Sequence, residues 1–184
     1  MEKAIDKIFL MGFMGCGKTT IGKLLAPELG WQFIDLDDEI VLRERMPIEQ
    51  IFAQHGEPYF RRAEAEILAG LMSRPQALIA LGGGTPTQEI VWPMLQQGLP
   101  VYLRCHPEEL FRRLKDDHHR PMLSRIPAAE RLPHIRHLLI QREPFYLRAD
   151  LIIDTFAQHT PAETAAILAQ LIRASMFENA ARAV

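Results

Sequence analysis

The sequence predicts an α/β fold in which helices cover both faces of a parallel sheet, as a three-layer sandwich. Short, continuous apolar runs recur along the chain, and stretches with helical spacing lie between them. A glycine-rich turn joins the first apolar run to the first helical stretch. Continuous apolar runs are typical of strands buried on both faces, and regular alternation of strand and helix indicates a layered α/β architecture.

The individual elements follow from the same pattern. Strands are expected at 7–11, 31–35, 77–81, 100–104 and 149–155. Helices are expected at 17–29, 38–45, 48–55, 58–73, 87–97, 106–115 and 161–175. Residues 36–73 are too long for a simple crossover and indicate a helical insertion. The polar, proline-containing stretch 115–133 lacks a clear period, and we expect about 115–127 to form a lid over a ligand.

Composition narrows the class of protein. The 184 residues fit one domain, 1–184, and their net charge of −2 with no long Lys/Arg run excludes sequence-independent binding to nucleic acid or to an anionic membrane. The two cysteines are far apart and have no CxxC partner, which indicates a reducing compartment rather than a disulfide framework or a zinc site. The N-terminal apolar run follows acidic residues and is cut by Gly12, so we expect a cytoplasmic protein without a signal peptide or membrane span.

The glycine-rich turn carries a complete phosphate-binding motif. Gly12, Gly17, Lys18 and Thr19 satisfy G-x-x-x-x-G-K-[ST] between a predicted strand and a predicted helix, which favours phosphate binding over an ordinary helix-capping turn. Backbone N–H groups and the helix N-terminus attract an anion, Lys18 can reach the β- and γ-phosphates, and Thr19 can ligate Mg²⁺. A dinucleotide motif would need glycine where Thr20 stands.

Acidic residues follow the second predicted strand rather than the third. Asp35 and Asp37 are two residues apart, which places both on one side of an extended backbone at the carboxyl end of the sheet. The alternative is that these acids lie in the exposed first turn of a helix, where negative charge is favoured. That alternative accounts well for Asp38 and Glu39 but poorly for Asp35. One carboxylate near a metal and another able to accept a hydroxyl proton are what phosphoryl transfer to an alcohol requires.

Arginines and a glycine triplet form the remaining candidates. Arg61 and Glu64 share a helix face, where an ion pair worth ~0.2–0.5 kcal/mol is the simplest interpretation; in the alternative, Glu64 aims Arg61 at an anionic substrate group. Three consecutive glycines, 82–84, after a core strand favour close approach of a ligand to the main chain. Arg120 and Arg142 precede proline bends, and either could be an ordinary surface arginine.

In this order, the motifs GFMGCGKTT, IDLDDEI, GEPYFRR, LGGGT, RPML and QREPFY resemble those of shikimate kinases, over about Lys7 to Ile172. The resemblance implies a nucleoside-monophosphate-kinase-like fold with a five-stranded parallel sheet of order 2-3-1-4-5, a substrate-binding helical insertion and an arginine-bearing lid. It also implies a monomeric, Mg²⁺-dependent kinase that transfers phosphate from ATP to the 3-hydroxyl of shikimate.

The resemblance further implies roles for individual residues. Lys18, Asp37 and Arg120 would be catalytic, with Asp37 as the candidate base. Thr19 would contact Mg²⁺ directly and Asp35 through water. Shikimate would be bound by Asp37, Arg61, Gly82, Gly83, Gly84 and Arg142. The nucleotide would be bound by Gly15, Cys16, Gly17, Lys18, Thr19, Thr20, Arg113, Arg120 and Gln158, although this chain has Gln158 in a loop where some members carry an arginine.

Two other functions are compatible with a phosphate loop. One is a kinase for another small hydroxy acid, such as gluconate. The other is a nucleotide-binding module without catalysis, which the retention of five charged candidates disfavours because such groups are costly to bury without a role. These five are Lys18, Asp37, Arg61, Arg120 and Arg142.

Overall fold

The fold is built around a five-stranded parallel sheet in a computed structural model that describes residues 5–114, 126–155 and 158–182. The strands are β1 (Lys7–Met11), β2 (Gln32–Asp35), β3 (Ala77–Ala80), β4 (Leu99–Arg104) and β5 (Leu151–Asp154). Their order is β2-β3-β1-β4-β5, and every neighbouring pair is parallel. The α/β class and the strand order are therefore confirmed.

Helices connect the strands and cover the sheet. They are α1 (Lys18–Leu29), α2 (Leu36–Glu44), α3 (Ile48–Leu71), α4 (Trp92–Leu95), α5 (Pro107–Leu114), α6 (Ala128–Tyr146) and α7 (Pro161–Arg182). Two short 3₁₀ turns, Thr85–Thr87 and Glu89–Val91, follow β3. Among the described residues, no helix is both long enough and apolar enough to cross a membrane.

The three inner strands form the centre of the core. Every residue of β1 and β3 is buried, as continuous apolar runs predict for strands covered on both faces. Phe9 of β1 lies between Ile79 of β3 and Pro100 of β4, which fixes the register of the inner strands. Their carboxyl ends therefore meet at one edge of the sheet, where ligands bind in folds of this type.

The insertion between β2 and β3 consists of α2 and α3, as predicted. The sequence predicts a break between helical segments at 55 and 58, and the structure places a kink there. Gly56 has φ 77° and ψ 173° inside α3, a backbone conformation that glycine adopts at little cost. Beyond the kink, Arg61 and Glu64 lie against the glycines that follow β3.

Two helix predictions are wrong. The expected helix 87–97 is reduced to short 3₁₀ turns and the four residues of α4. The opposite error concerns 128–146, where no helix is predicted but α6 forms with Pro133 and Pro144 inside it.

Packing explains why α6 tolerates its prolines. A proline in a helix interior removes a hydrogen bond and costs roughly 3 kcal/mol. Ile135, Leu139, Arg142 and Tyr146 are nevertheless buried along one face of α6, at a spacing of three to four residues. Burial of that face outweighs the local penalty, so QREPFY is the end of a helix rather than a bend.

Candidate active site

The phosphate loop connects β1 to α1 at the carboxyl edge of the sheet. Gly12, Gly15 and Gly17 have φ values of 143°, 80° and 106°, which other residues rarely adopt. Gly17 is the N-cap of α1 and provides no side-chain cap, so the first amides of the helix are available to an anion. The sequence motif thus has the backbone geometry that phosphate binding needs.

Lys18 lies over this loop. Its Nζ donates hydrogen bonds to the carbonyl oxygens of Gly12 at 2.8 Å and Phe13 at 3.1 Å, and lies 3.9 Å from Sγ of Cys16. These contacts hold the ammonium beside the amides that would surround a phosphate. Cys16 is itself buried, in keeping with a small residue packed among the glycines.

Thr19 and Asp35 form the candidate metal site. Oγ1 of Thr19 donates to Oδ2 of Asp35 at 2.7 Å, and the backbone N–H of Asp37 donates to Oδ1 of Asp35 at 3.1 Å. Asp35 is therefore both the N-cap of α2 and a partner of the loop threonine. A hydroxyl and a carboxylate are hard oxygen ligands, which suit Mg²⁺.

The rest of a magnesium coordination shell would have to come from outside the protein. Within 5–114, 126–155 and 158–182, no group of three or more His, Cys, Asp or Glu side chains could hold a metal ion. Mg²⁺ usually keeps several waters and binds through few protein groups together with substrate phosphates. The donor set at Thr19 and Asp35 fits that mode of binding.

The glycine triplet after β3 lies directly against charged side chains. A Cβ atom on Gly82 would be 3.1 Å from Oδ1 of Asp37 and 2.6 Å from Oε1 of Glu64. A Cβ atom on Gly84 would be 2.6 Å from Nη1 of Arg61. Among the described residues the three glycines have no positive φ, so they are needed here for space and not for backbone conformation.

Arg61 is held by two carboxylates. Its Nη1 donates to Oε2 of Glu64 at 2.8 Å, while Nε and Nη2 donate to Oε1 of Glu57 at 3.2 and 3.0 Å. Burial lowers the pKa of Arg61, but the charges and hydrogen bonds of Glu64 and Glu57 outweigh it and raise the pKa above its usual value. The intrahelical ion pair, one of the two interpretations that the sequence left open, is present, and the binding of an anionic substrate group by Arg61 stays a prediction.

Glu64 is fully buried and is braced from a second side. The hydroxyl of Thr85 donates to Oε1 of Glu64, and Nε2 of Gln88 donates to Oε2 at 2.7 Å. Because every one of these donors is fixed in the 3₁₀ region or α3, the carboxylate cannot turn away from Arg61 without losing several hydrogen bonds. Neither residue is among the predicted site residues: Thr85 stands in the LGGGT motif without a predicted role, and Gln88 belongs to no motif.

Arg142 lies beside the middle glycine of the triplet. It is only 9% exposed, so the surface interpretation is wrong. A Cβ atom on Gly83 would be 3.4 Å from Nη1 of Arg142, whose guanidinium carbon lies 5.7 Å from the centre of the Phe13 ring. Arg61 and Arg142 therefore flank the triplet, and Asp37 lies at its first glycine.

A pocket of about 430 Å³ adjoins the other side of the phosphate loop. Its lining includes Gly15, Cys16, Gly17, Thr20, Arg113 and Gln158. These six are all sequence-predicted nucleotide-binding residues, and the structure brings them together. The pocket has room for the base and sugar of a nucleotide whose phosphates lie in the loop.

Arg113 links this pocket to the loop itself. Its Nη1 donates to the carbonyl oxygens of Gly15 at 3.4 Å and Cys16 at 3.3 Å, and its Nε donates to Oε1 of Glu109 at 2.6 Å. Hydrogen bonds from Arg112 and then from Arg113 lower the pKa of Glu109 to about 2, against the effect of its partial burial. Of the remaining predictions, Arg120 and residues 115–125 of the expected lid at about 115–127 lie outside the described residues.

The fold and site together define a P-loop phosphotransferase in which a glycine triplet lies next to the phosphate loop and against Asp37, Arg61 and Arg142. The shikimate kinase family model matches residues 14–173, and the chain belongs to that family.

Individual relatives agree with this assignment. The chain is 41% identical to a shikimate kinase of Thermosynechococcus vestitus over 154 residues, which cover 84% of this chain and 82% of that protein. It is 44% identical to a shikimate kinase of Bordetella pertussis over 150 residues, covering 80% of this chain and 70% of the relative.

Solved structures give the same result. The shikimate kinase of Acinetobacter baumannii in complex with shikimate superposes with a TM-score of 0.86 at 36% identity, covering 93% of this chain and 94% of that one. The shikimate kinase of Aquifex aeolicus superposes with a TM-score of 0.77 at 33% identity, covering 92% and 97%.

Proposed function

We propose that this chain transfers the γ-phosphoryl group of ATP to the 3-hydroxyl of shikimate, giving ADP and shikimate 3-phosphate. One observation carries the proposal: the glycine triplet lies directly against the phosphate loop. A Cβ atom on Gly83 would lie 3.5 Å from the backbone nitrogen of Met14 and 3.6 Å from the carbonyl oxygen of Gly12. An acceptor against the triplet therefore lies next to a phosphate held in the loop.

The charges of the acceptor pocket match the two ends of shikimate. Arg61 and Arg142 flank the triplet and would bind the carboxylate of the acceptor, for which the planar guanidinium is well suited. Asp37 lies at Gly82, on the side of the pocket that α2 contributes. Its carboxylate would orient the hydroxyl and accept its proton as the oxygen attacks phosphorus and the bond to the β-phosphate oxygen breaks.

The residues of the loop act on the phosphate. Lys18 and the first amides of α1 would stabilise the negative charge that develops on the transferring group. Thr19 would ligate Mg²⁺ directly and Asp35 would hold it through water. When bound, Mg²⁺ neutralises charge on the β- and γ-phosphate oxygens. Arg120 is proposed as a further cation that closes onto the phosphates from the lid.

A coupled assay of ADP release tests this function. We expect release that depends on shikimate, with the product carrying a phosphomonoester at the 3-position by ³¹P and ¹H NMR. Asp37→Asn should lower kcat by at least about 100-fold if its carboxylate takes the proton. Gluconate at the same concentration is the control acceptor. Turnover with gluconate but not with shikimate, or with neither, would contradict the proposal.

A further inference from the structure

Tyr146 carries a hydroxyl that contacts the middle glycine of the triplet. The side chain has no solvent exposure, and its hydroxyl donates a hydrogen bond of 2.5 Å to the carbonyl oxygen of Gly83. Tyr146 follows Arg142 by four residues, so the two side chains lie one above the other on the same face of α6. None of the steps proposed above uses this hydroxyl.

The accepting carbonyl belongs to the peptide group that joins Gly83 to Gly84, the last two glycines of the triplet. A peptide group is planar, so fixing the Gly83 carbonyl also fixes the N–H of Gly84. Gly83 lies beside Arg142, and Gly84 lies beside Arg61. The orientation of this one peptide therefore sets how the backbone fits between the two guanidinium groups.

We propose that Tyr146 is a positioning residue of the acceptor site, whose hydroxyl holds the Gly83–Gly84 peptide in the orientation that lets Arg61 and Arg142 bind the acceptor carboxylate together. This role rests on the proposed function. Without a side-chain partner, the two flexible glycines would let the peptide sample other orientations. Each of those orientations would move the backbone against one of the two arginines.

The surroundings of Tyr146 suit a fixed donor. Its ring packs against that of Tyr102 on β4, with centroids 5.1 Å apart and planes inclined by 39°. Burial raises the pKa of the Tyr146 phenol well above its usual value, against the charge of Arg142 and a hydrogen bond between the two side chains, so the hydroxyl stays protonated at physiological pH. The phenol can therefore donate to the Gly83 carbonyl throughout the working range of the protein.

Tyr102 provides a matched control. It is equally buried, it belongs to the same aromatic pair, and within the part of the chain that the structure describes its hydroxyl makes only a long contact of 3.4 Å to Oε1 of Glu143. Tyr102→Phe and Tyr146→Phe thus remove the same atom from neighbouring rings, but the second removes the bond to Gly83 and a hydrogen bond with Arg142.

Steady-state kinetics of the two variants test the role. For Tyr146→Phe we expect the KM for shikimate to rise about fivefold, as for the loss of one buried hydrogen bond, with the KM for ATP and kcat within about twofold of wild type. For Tyr102→Phe we expect all three parameters within about twofold of wild type. A melting temperature for each variant separates this effect from a general loss of stability.

A second measurement does not depend on turnover. With ¹⁵N-glycine labelling, Tyr146→Phe should shift the amide resonance of Gly84 more than that of Gly70, whereas Tyr102→Phe should leave Gly84 nearly unchanged. Two results in an active wild-type background would overturn the role of Tyr146 and leave the proposed function standing. One is a KM for shikimate in Tyr146→Phe that equals the wild-type value. The other is an equal rise of that KM in Tyr146→Phe and Tyr102→Phe. A wild-type protein without shikimate-dependent ADP release would overturn the proposed function, and this role with it.

Discussion

Thr19 and Asp35 join the starts of two helices through a 2.7 Å hydrogen bond. Thr19 lies in the first turn of α1, which the phosphate loop precedes, and Asp35 is the N-cap of α2, which carries Asp37. One carboxylate therefore couples the element that would hold the phosphate to the element that would orient the hydroxyl.

Asp35→Asn tests that coupling. Asparagine can still cap α2, so stability should change little, but the negative charge near the metal is lost. We expect the Mg²⁺ concentration for half-maximal activity to rise at least about tenfold, as for other outer-shell ligands. Activity titrated with Mg²⁺ at constant ATP measures this. Asp38→Asn, an exposed acid in the same helix turn, is the control, and an equal effect of both variants would argue against a metal role for Asp35.

Arg61 should not be replaceable by lysine. Lysine keeps the charge but cannot bond Glu57 and Glu64 while presenting a planar fork to a carboxylate. We expect Arg61→Lys to raise the KM for shikimate by about 10- to 100-fold, which corresponds to one charge-assisted hydrogen bond. Arg62→Lys is the control, since the Arg62 guanidinium lies 5.9 Å from the centre of the Tyr59 ring and is exposed. A normal KM in Arg61→Lys would show that its charge alone suffices.

Gly84 and Gly70 should respond to alanine in opposite ways. Alanine at 84 would place its methyl carbon 2.6 Å from Nη1 of Arg61, so the guanidinium must move and shikimate binding should weaken by at least about tenfold. A Cβ atom on Gly70, inside α3, would meet nothing within 4 Å. Gly70→Ala should therefore raise the melting temperature by about 2 °C without changing the KM. Calorimetry and kinetics on both variants check this, and unchanged binding in Gly84→Ala would refute the steric argument.

The donor half of the site could be predicted from the sequence because its chemistry is local. A phosphate loop needs its glycines, lysine and threonine within eight consecutive residues, and Asp35 and Asp37 follow a recognisable strand. The sheet could be predicted for a similar reason, since buried parallel strands are continuous apolar runs.

The parts that sequence reasoning missed depend on contacts between distant segments. Tyr146 bonds a backbone carbonyl 63 residues away, and no local pattern marks that partner. Gln88 braces Glu64 across 24 residues in the same way. Helix α6 forms although two prolines lie inside it, because burial of residues such as Leu139 and Tyr146 outweighs the low helix propensity of proline. Sequence pattern thus predicts motifs and strands more reliably than the side chains that support them.

The ion pairs of Glu109 predict a dependence of stability on acid pH. Hydrogen bonds from Arg112, followed by those from Arg113, lower the pKa of Glu109 from its usual 4.5 to about 2. Because the folded-state pKa is depressed, the carboxylate contributes stability that is fully present above about pH 4.5 and is lost as the pH falls towards 2. Wild type should therefore melt at a higher temperature than Glu109→Gln at pH 7, and the difference should shrink steadily between pH 4.5 and pH 2.

Thermal melts at several pH values measure this difference. The control is Glu49→Gln, which changes an exposed glutamate in the first turn of α3.

Glu109→Gln should also loosen Arg113, because Glu109 holds Nε of Arg113 while Nη1 bonds the carbonyl oxygens of the phosphate loop. We therefore expect Glu109→Gln to raise the KM for ATP about two- to fivefold and to leave the KM for shikimate unchanged. A difference in melting temperature that stays constant from pH 7 to pH 2 would show that Glu109 stabilises the fold through packing and not through its charge.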